Sequence, residues 1–347
     1  MTALEEIIAA MIEAEGPMPL DRYMALCLGH PRLGYYMTRD PFGASGDFTT
    51  SPEISQVFGE LIGVWLLNSW MALGSPKNFI VVELGPGRGT LMADILRAVK
   101  AVPEFTKAMN VHLVETSPVL RKLQQDKLGD VNWHDHVGTL PELPCLIIAN
   151  EFFDALPIQQ FENRAGRWFE RMVGFGEGTL KMGLVPTPPR SQGEGVHETS
   201  PVSLAVAEDL SAHIAKHGGT ALIIDYGHLK SAAGDTLQAM RKHEFVSVLD
   251  APGEVDITAH VDFEALAQAF IAGGAELLPM LTQGQFLKAM GLELRTEKLA
   301  AKLEGQPLED FRKASRRLAD ADQMGNLFKV MAVAQKRRQP IYPFEAP

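Results

Sequence analysis

The chain has 347 residues, of which 46% are hydrophobic and 22% are charged, so it can bury a substantial core and wholesale disorder is not expected. Its formal net charge of -11 argues against non-specific binding of nucleic acid, which depends on neutralising phosphates. Two cysteines, Cys27 and Cys145, provide neither a disulfide framework nor a zinc site, as is typical of a reducing compartment.

The first 75 residues are predicted to be mainly helical. The first fifteen residues carry apolar side chains at helical spacing, and a second helix is predicted from Leu20 to Leu28. A third is predicted from Ser51 to about Leu73, with Pro52 in its first turn. The acids near the N-terminus fit neither a secretory signal nor a mitochondrial presequence, so we expect a cytoplasmic bacterial protein. No apolar run approaches the roughly 20 residues that span a bilayer, so we expect no membrane insertion.

Residues 30–55 lead from the second predicted helix into the third and are rich in Gly, Pro, Ser and Thr. Long loops are usually functional or disordered, and the aromatic residues of this segment argue against disorder. We expect the segment to fold over a ligand as a lid, with a purely structural loop as the alternative. The polar residues of this segment are Asp47, Thr49, Thr50, Ser51 and Glu53.

The centre of the chain alternates predicted strands and helices. The predicted strands are residues 78–85, 111–116, 130–134, 144–150 and 220–227. The first two helices between them are residues 89–102 and 117–128. Continuous apolar strands joined by helices indicate a parallel sheet that is covered on both faces. We therefore divide the chain into an N-terminal region, 1–75, and a sheet domain, 76–347.

An insertion of about residues 159–218 is predicted after the fourth strand. Its first part alternates like an antiparallel hairpin around Arg164–Gly166, and its middle reads as an exposed loop. Further along, residues 292–320 are predicted to be helical and charged, and residues 326–336 are predicted to be the final strand.

The stretch VVELGPGRGT, residues 81–90, joins the first strand of the sheet to its helix. A dinucleotide site uses Gly-x-Gly-x-x-Gly around a pyrophosphate, whereas the three glycines here are two residues apart. Glu83 precedes them, and its carboxylate would repel a pyrophosphate but suits the ammonium group of S-adenosylmethionine. We expect that cofactor rather than NAD, with a simple tight turn as the alternative. The predicted cofactor residues of this loop are Glu83, Gly85, Pro86, Gly87, Gly89 and Thr90.

Two further acids are predicted to contact the cofactor. Glu115 ends the next strand, where an acid accepts hydrogen bonds from ribose hydroxyls, a feature shared with NAD sites. Asp135 follows the short third strand and is placed to accept from an adenine amine, with Trp133 or His134 near the base. Ordinary polar loop residues are the alternative for this third-strand group.

The fourth strand ends in NEFFDALPI, and the carboxyl ends of central strands face the ligand in such sheets. Asn150, Glu151 and Asp154 are therefore the predicted catalytic residues. The stretch resembles the Asn-Pro-Pro-Tyr loop of amide and adenine-amine methyltransferases, but a carboxylate in the second place suits a guanidinium. Glu151, paired with Asp154 or with Glu162, would orient that group for in-line attack. A structural acid is the alternative for Glu151, and core packing is the alternative for Phe152 as an acceptor contact.

The chain resembles the MidA-like family, which includes the mitochondrial complex I assembly-factor methyltransferases and their bacterial relatives. The resemblance lies in the blocks GDFTTSPEISQVFGE, VVELGPGRGTLMADILR, ANEFFDALPIQQF, IIDYGH and DITAHVDF. It implies an α/β, Rossmann-like class I methyltransferase with a seven-stranded, mostly parallel sheet and S-adenosylmethionine as cofactor. For the mitochondrial members it also implies methylation of an arginine in a core subunit of respiratory complex I.

The same blocks assign further residues. Tyr226 and His228, at the end of the fifth strand, and Glu53 of the lid segment are candidate acceptor contacts, although a lone histidine is often structural. An extended DITAHVDF would place four polar residues on one face. These are Asp256, Thr258, His260 and Asp262. We expect no metal, because methyl transfer needs none.

We therefore expect an enzyme that methylates an arginine of a protein, with a complex I core subunit as the substrate that the resemblance favours. The alternatives are a small-molecule methyltransferase, a non-catalytic assembly factor that binds S-adenosylmethionine, and a dinucleotide oxidoreductase.

Overall fold

The computed structural model describes residues 1–40 and 49–345. The helices are α1 (Ala3–Glu15), α2 (Leu20–Gly29), α3 (Tyr35–Thr38), α4 (Ser51–Ile54), α5 (Gln56–Ala72), α6 (Thr90–Val99), α7 (Pro103–Ala108), α8 (Pro118–Leu128), α9 (Pro201–His217), α10 (Phe263–Ala272), α11 (Gln283–Ala289), α12 (Leu292–Ala300), α13 (Gly305–Ala319) and α14 (Met324–Leu327). The strands are β1 (Met18–Pro19), β2 (Phe79–Leu84), β3 (Met109–Val114), β4 (Asn132–His134), β5 (Cys145–Asn150), β6 (Gln159–Arg164), β7 (Arg167–Gly176), β8 (Thr179–Pro186), β9 (Gly195–Thr199), β10 (Gly219–His228), β11 (Gln238–Arg241), β12 (Glu244–Val246), β13 (Asp256–Thr258), β14 (Val261–Asp262), β15 (Glu276–Leu277), β16 (Leu281–Thr282) and β17 (Phe328–Ala334). Asp47 of the predicted lid lies outside the described residues.

The central sheet has the order β15-β17-β10-β5-β2-β3-β4, so seven strands lie side by side in the described part of the chain. Strands β10, β5, β2, β3 and β4 are parallel, and β17 is antiparallel to β10. The two-residue strands β14 and β16 add to β10 and β17. The predicted doubly wound, mostly parallel fold is therefore confirmed.

Two apolar layers cover the central sheet. Strand β5 shows why, because alternate residues of a strand point to opposite faces. Leu146 and Ile148 pack with α5 and α6, whereas Ile147 and Ala149 pack with α9 and α10. Strands β2 and β5 are buried along their whole length, which is why their sequences are continuous apolar runs.

Helix α9 occupies the last third of the segment predicted as an insertion. Ser200 caps its N-terminus by accepting a hydrogen bond from the Ser203 amide, and Pro201 stands in the first turn. Gly218, with a φ of 87°, ends the helix. Helix α9 leads directly into β10 and is therefore a crossover helix of the central sheet.

The remainder of the insertion forms a second sheet of order β1-β7-β6-β9, with β8 paired to β7. The predicted hairpin is confirmed, with Arg164 opposite Arg167 across a turn in which Ala165 and Gly166 have positive φ. Strand β1 belongs to the N-terminal region and places Met18 opposite Val173 of β7. The N-terminal helices and the insertion thus share one apolar core.

The third predicted helix is divided in two. Ser55 has an extended backbone and caps α5 by accepting from the Val57 amide, so α4 is a separate turn of helix. The predicted helical stretch 292–320 is likewise α12 and α13. Among the described residues, no helix combines the length and the apolar character required to cross a membrane.

Candidate active site

The glycine loop between β2 and α6 has a backbone that side chains disfavour. Gly85, Gly87 and Gly89 have φ values of 60°, 52° and 73°, all in the left-handed region. A Cβ on Gly85 would lie 3.0 Å from the ring of Phe152, and one on Gly89 would lie 3.1 Å from Leu128. The loop is therefore pressed between the fourth-strand loop and α8.

A cavity of about 980 Å³ opens at the carboxyl ends of the parallel strands. Most of the predicted site residues line it, and they come from six separate parts of the chain. They are Glu53, Glu83, Gly85, Pro86, Gly87, Thr90, Glu115, Asp135, Asn150, Glu151, Phe152, Asp154 and Tyr226. The sheet thus brings both ends of the predicted reaction, cofactor and acceptor, to one cavity.

Glu83 lies at the floor of this cavity with a side chain that is only 3% exposed. Its Oε2 atom has no hydrogen-bond partner among the described residues. The pKa of Glu83 is raised to about 8, mainly by burial. Lys127 opposes this rise, and the nearby Glu115 contributes to it. A cation placed against this oxygen would stabilise the ionised form.

Glu115 is held in place by neighbouring donors. Its carboxylate accepts from the Ser117 amide at 2.8 Å and from Gln124 Nε2 at 3.3 Å. Gln124 Nε2 also donates to the carbonyl of Gly87 at 2.7 Å, and its Oε1 accepts from Trp133 at 2.8 Å. Burial raises the pKa of Glu115. The side-chain amide of Gln124 therefore links Glu115, the predicted ribose contact, to the glycine loop.

Asp135 lies at the rim rather than the floor. Its side chain is 76% exposed and its Oδ1 accepts from Arg121 at 2.7 Å. Trp133 and His134 do not line the cavity, whereas His136 and Val137 do. At this rim the other residues that line the cavity are therefore two to four positions beyond Trp133 and His134.

Glu151 and Asp154, the acids predicted for the acceptor end, lie at the end of β5 and line the cavity. Glu151 Oε1 accepts from the Ser51 amide at 2.9 Å and from Asn150 Nδ2 at 3.0 Å. Its φ of 50° is unusual for a residue with a side chain, and such strain is concentrated at functional sites. Burial raises the pKa of Glu151 to about 7, with a contribution from Asp154. Burial also raises the pKa of Asp154 to about 6.

These carboxyls have no cationic partner within the part of the chain that the structure describes. None of the ion pairs there involves Glu151, Asp154 or the neighbouring buried Asp225. Asn150 Oδ1 and Asp154 Oδ1 are buried and lack hydrogen-bond partners. Burial raises the pKa of each of these three carboxyls, and a positively charged group placed against them would favour their ionised forms.

Helix α4 joins the two ends of the cavity. Glu53 Oε1 accepts from the Thr90 hydroxyl at 2.6 Å, while the Ser51 amide of the same helix donates to Glu151. Arg88 of the glycine loop adds an ion pair to Asp40 at 2.7 Å and a longer one to Glu53 at 3.9 Å. The predicted lid segment is therefore attached to the glycine loop on both sides of residues 41–48.

Besides Trp133 and His134, three residues predicted for the site do not line the main cavity. His228 lies in a separate cavity of about 240 Å³, with its Nε2 atom 3.9 Å from Asp262 Oδ2. The cause is the pairing of the end of β10 with β14, which places His228 opposite Asp262. Gly89 does not line the cavity; it packs on Leu128 and starts α6. Glu162 is ion-paired to Arg164 and Arg171 on β6, so the second acid near Glu151 is Asp154.

The DITAHVDF segment divides between the two cavities. Asp256, Thr258 and His260 line the main one, whereas Asp262 caps α10 by accepting from the amides of Glu264 and Ala265. No group of three or more His, Cys, Asp or Glu side chains is arranged to hold a metal ion within residues 1–40 and 49–345.

Sequence reasoning did not assign a site role to Tyr36. Its ring lines the cavity, and its hydroxyl donates to Asp256 at 2.8 Å. The two residues are 220 positions apart, and no local pattern connects them. The only available signal was the aromatic character of the lid segment.

The fold and this cavity define a class I methyltransferase that uses S-adenosylmethionine. Comparison with known proteins agrees. Residues 61–280 match a family described as S-adenosyl-L-methionine-dependent methyltransferase. A solved protein of Burkholderia thailandensis, bound to S-adenosyl-homocysteine, has a TM-score of 0.84 at 28% identity, with 96% of this chain and 92% of that chain covered.

Curated relatives narrow the class. The mitochondrial protein arginine methyltransferase NDUFAF7 homolog of Drosophila melanogaster is 35% identical, with 95% of this chain and 84% of that protein covered. Mitochondrial NDUFAF7 of Mus musculus is 38% identical, with 85% and 76% covered. The chain belongs to this methyltransferase family, so the predicted family, enzyme class and cofactor are confirmed.

Proposed function

We propose that this enzyme methylates an arginine side chain of a protein, and that a core subunit of respiratory complex I is the acceptor. The observation that carries the proposal is the pair of acceptor carboxyls, Glu151 and Asp154, which line the cavity without a cationic partner among the described residues. The names of the relatives as protein arginine methyltransferases support the same acceptor class.

The cavity floor fits S-adenosylmethionine, which supplies a methyl group on a positively charged sulfur. The unpartnered oxygen of Glu83 suits the ammonium group of the cofactor. Glu115, already oriented by the Ser117 amide, suits the ribose hydroxyls. The glycine loop leaves room for close approach because no Cβ projects from Gly85 or Gly87.

A guanidinium fits the acceptor end for two reasons. Its planar set of donors matches two carboxylates, and its permanent positive charge lowers the cost of ionising them in a buried place. Ser51 and Asn150 hold one oxygen of Glu151, so its other oxygen is directed to the acceptor. Asp154 Oδ1 has no other described partner and supplies the second contact.

The reaction is a direct displacement. The guanidinium nitrogen attacks the methyl carbon in line with the carbon–sulfur bond, and the new carbon–nitrogen bond forms as that bond breaks. The sulfur keeps the electron pair. The nitrogen then loses one proton, which the carboxylate of Asp154 is placed to accept. The two carboxylates also stabilise the positive charge that develops on the guanidinium in the transition state.

Glu151→Gln tests the assignment, with Glu162→Gln as its matched control outside the cavity. In a strain lacking the gene, we expect the wild type and Glu162→Gln to restore an arginine methylation in a complex I subunit, detected by mass spectrometry. Glu151→Gln should reduce methyl transfer by about 100-fold or more while S-adenosyl-homocysteine still binds in calorimetry. Full restoration by Glu151→Gln would refute the role of Glu151, and an unaltered subunit set in the deletion strain would refute the acceptor.

A further inference from the structure

The acceptor loop, residues 151–156, has an unusual anchor. Glu151 still donates its amide to the carbonyl of Ile224, which continues the pairing of β5 with β10 by one residue. Beyond it the loop leaves the sheet, so the following amides have no ladder partner. Buried amides require an acceptor.

One carboxylate oxygen supplies it. Asp225 Oδ2 accepts from the amides of Phe152, Phe153 and Asp154 at 3.2, 3.0 and 3.3 Å. Its other oxygen accepts from the amide of Tyr226 at 2.9 Å. Three consecutive amides that converge on one oxygen form a concave site for an acceptor group, and here the side chain of Asp225 occupies that site.

Asp225 is wholly buried in β10 and does not line the cavity. It therefore cannot contact the acceptor and can act on the reaction only through the loop. Glu151, at the start of the loop, is held in its left-handed backbone conformation by the sheet on one side and by these amides on the other. The Ser51 amide then fixes the carboxylate of Glu151 by donating a hydrogen bond to it.

We propose that Asp225 is a positioning residue, which sets the acceptor loop and thereby places Glu151 and Asp154 for methyl transfer. This proposal rests on the proposed function for the roles of those two carboxyls. The anchor itself is a separate claim, because it concerns only the loop amides and can be measured without an acceptor.

Asp225→Asn tests the anchor. An amide has a single oxygen, so either the three loop amides or the Tyr226 amide must lose an acceptor. Thr220→Val is the matched control, because it also removes a buried side-chain hydrogen bond from β10, the one to the Val333 carbonyl at 2.7 Å. We expect faster hydrogen–deuterium exchange in the peptide that spans residues 151–156 for Asp225→Asn and unchanged exchange there for Thr220→Val.

The kinetic readout separates positioning from stability. With tritiated S-adenosylmethionine and a protein extract of the deletion strain as acceptor, we expect Asp225→Asn to lower kcat on the order of 100-fold, the cost of a small misplacement of reacting groups. Binding of S-adenosyl-homocysteine should stay unchanged. Combined with Glu151→Gln, the loss should be far less than the product of the two single losses, because both changes disable the same contact.

Three outcomes overturn the proposal. The first is unchanged hydrogen–deuterium exchange of the loop in Asp225→Asn, and the second is faster exchange of the loop with a wild-type kcat. The third is a loss of kcat in the double variant that equals the product of the losses in the two single variants. Wild-type activity in Glu151→Gln would instead refute the proposed acceptor site while leaving the exchange result to judge the anchor. If Asp225→Asn does not fold, Asp225→Glu replaces it, because glutamate keeps the carboxyl group but displaces the loop. This variant should lower kcat without raising loop exchange, and wild-type kcat would count against the proposal.

Discussion

The buried carboxyl of Glu83 should make cofactor binding strongly dependent on pH. In the free enzyme its pKa is raised to about 8 by burial, so it is mainly protonated at neutral pH. A bound ammonium group requires the ionised form. The affinity for S-adenosyl-homocysteine, which carries the same ammonium group, should therefore rise with pH until Glu83 is ionised without the ligand.

The size of the effect follows from that pKa. Between pH 5.5 and 7.5 the ionised fraction of Glu83 rises roughly 75-fold, and the affinity should rise by about the same factor. Near pH 7 the complex should release about 0.9 proton on formation, because only about one site in eleven is already ionised. Isothermal titration calorimetry in buffers of different ionisation enthalpy measures both quantities.

Two controls isolate Glu83. Glu83→Gln cannot ionise, so its affinity should be lower at high pH and nearly flat over this range. The ligand 5′-methylthioadenosine keeps the ribose and adenine but lacks the amino-acid part, so its binding to the wild type should show little of the slope. A flat profile for S-adenosyl-homocysteine, or an equal slope in Glu83→Gln, would refute the placement of the ammonium group at Glu83.

Three further predictions concern the same cavity. Because the folded-state pKa of Glu83 is raised, its stabilising contribution is present below pH 4.5 and is lost as the pH rises through 8. The free energy of unfolding of ligand-free Glu83→Gln, measured with denaturant, should therefore increase relative to that of the wild type by up to about 5 kcal/mol between these limits. Gly85→Ala should cost about 1 kcal/mol or more of stability and weaken S-adenosyl-homocysteine binding through its contact with Phe152, whereas Gly178→Ala, at a φ of 77° with open space around it, should cost stability alone. Thr90→Val removes the hydroxyl that joins α4 to the glycine loop and should lower both cofactor affinity and kcat. If calorimetry and methyl-transfer assays show neither effect, this contact does not contribute to binding or catalysis.

Much of the fold was accessible from the sequence because the signals are local. The stretch VVELGPGRGT encodes a buried strand, three left-handed glycines and a helix start within ten residues, and all of these occur in the structure. Glu83, Glu115 and Glu151 all line the cavity at the carboxyl ends of parallel strands, as the rule for such sheets predicts. Each of these predictions needed only neighbouring residues and one property of parallel sheets.

The remaining features depend on contacts that local patterns do not encode. The pairing of Tyr36 with Asp256 and that of Met18 with Val173 join distant parts of the chain. The prediction for His228 is wrong because the end of β10 pairs with β14, which places His228 opposite Asp262 in the smaller cavity, whereas Tyr226 lines the main one. Helix α9 is a different case, since its Ser-Pro start and its final glycine are both local signals in the sequence, but the prediction of an insertion over residues 159–218 includes them.

The shared core of the N-terminal helices and the insertion has a consequence for the synthesis of the chain. Thr2 donates to the carbonyl of Pro252, and Tyr23 of α2 donates to the carbonyl of Val248, so the first two helices cannot complete their contacts until residues near 250 have emerged. At about 5–20 residues per second, the ribosome takes roughly 12–50 seconds to add the intervening residues. During that interval the apolar faces of α1 and α2 lack their final partners, so these two helices need chaperones to shield them while translation continues.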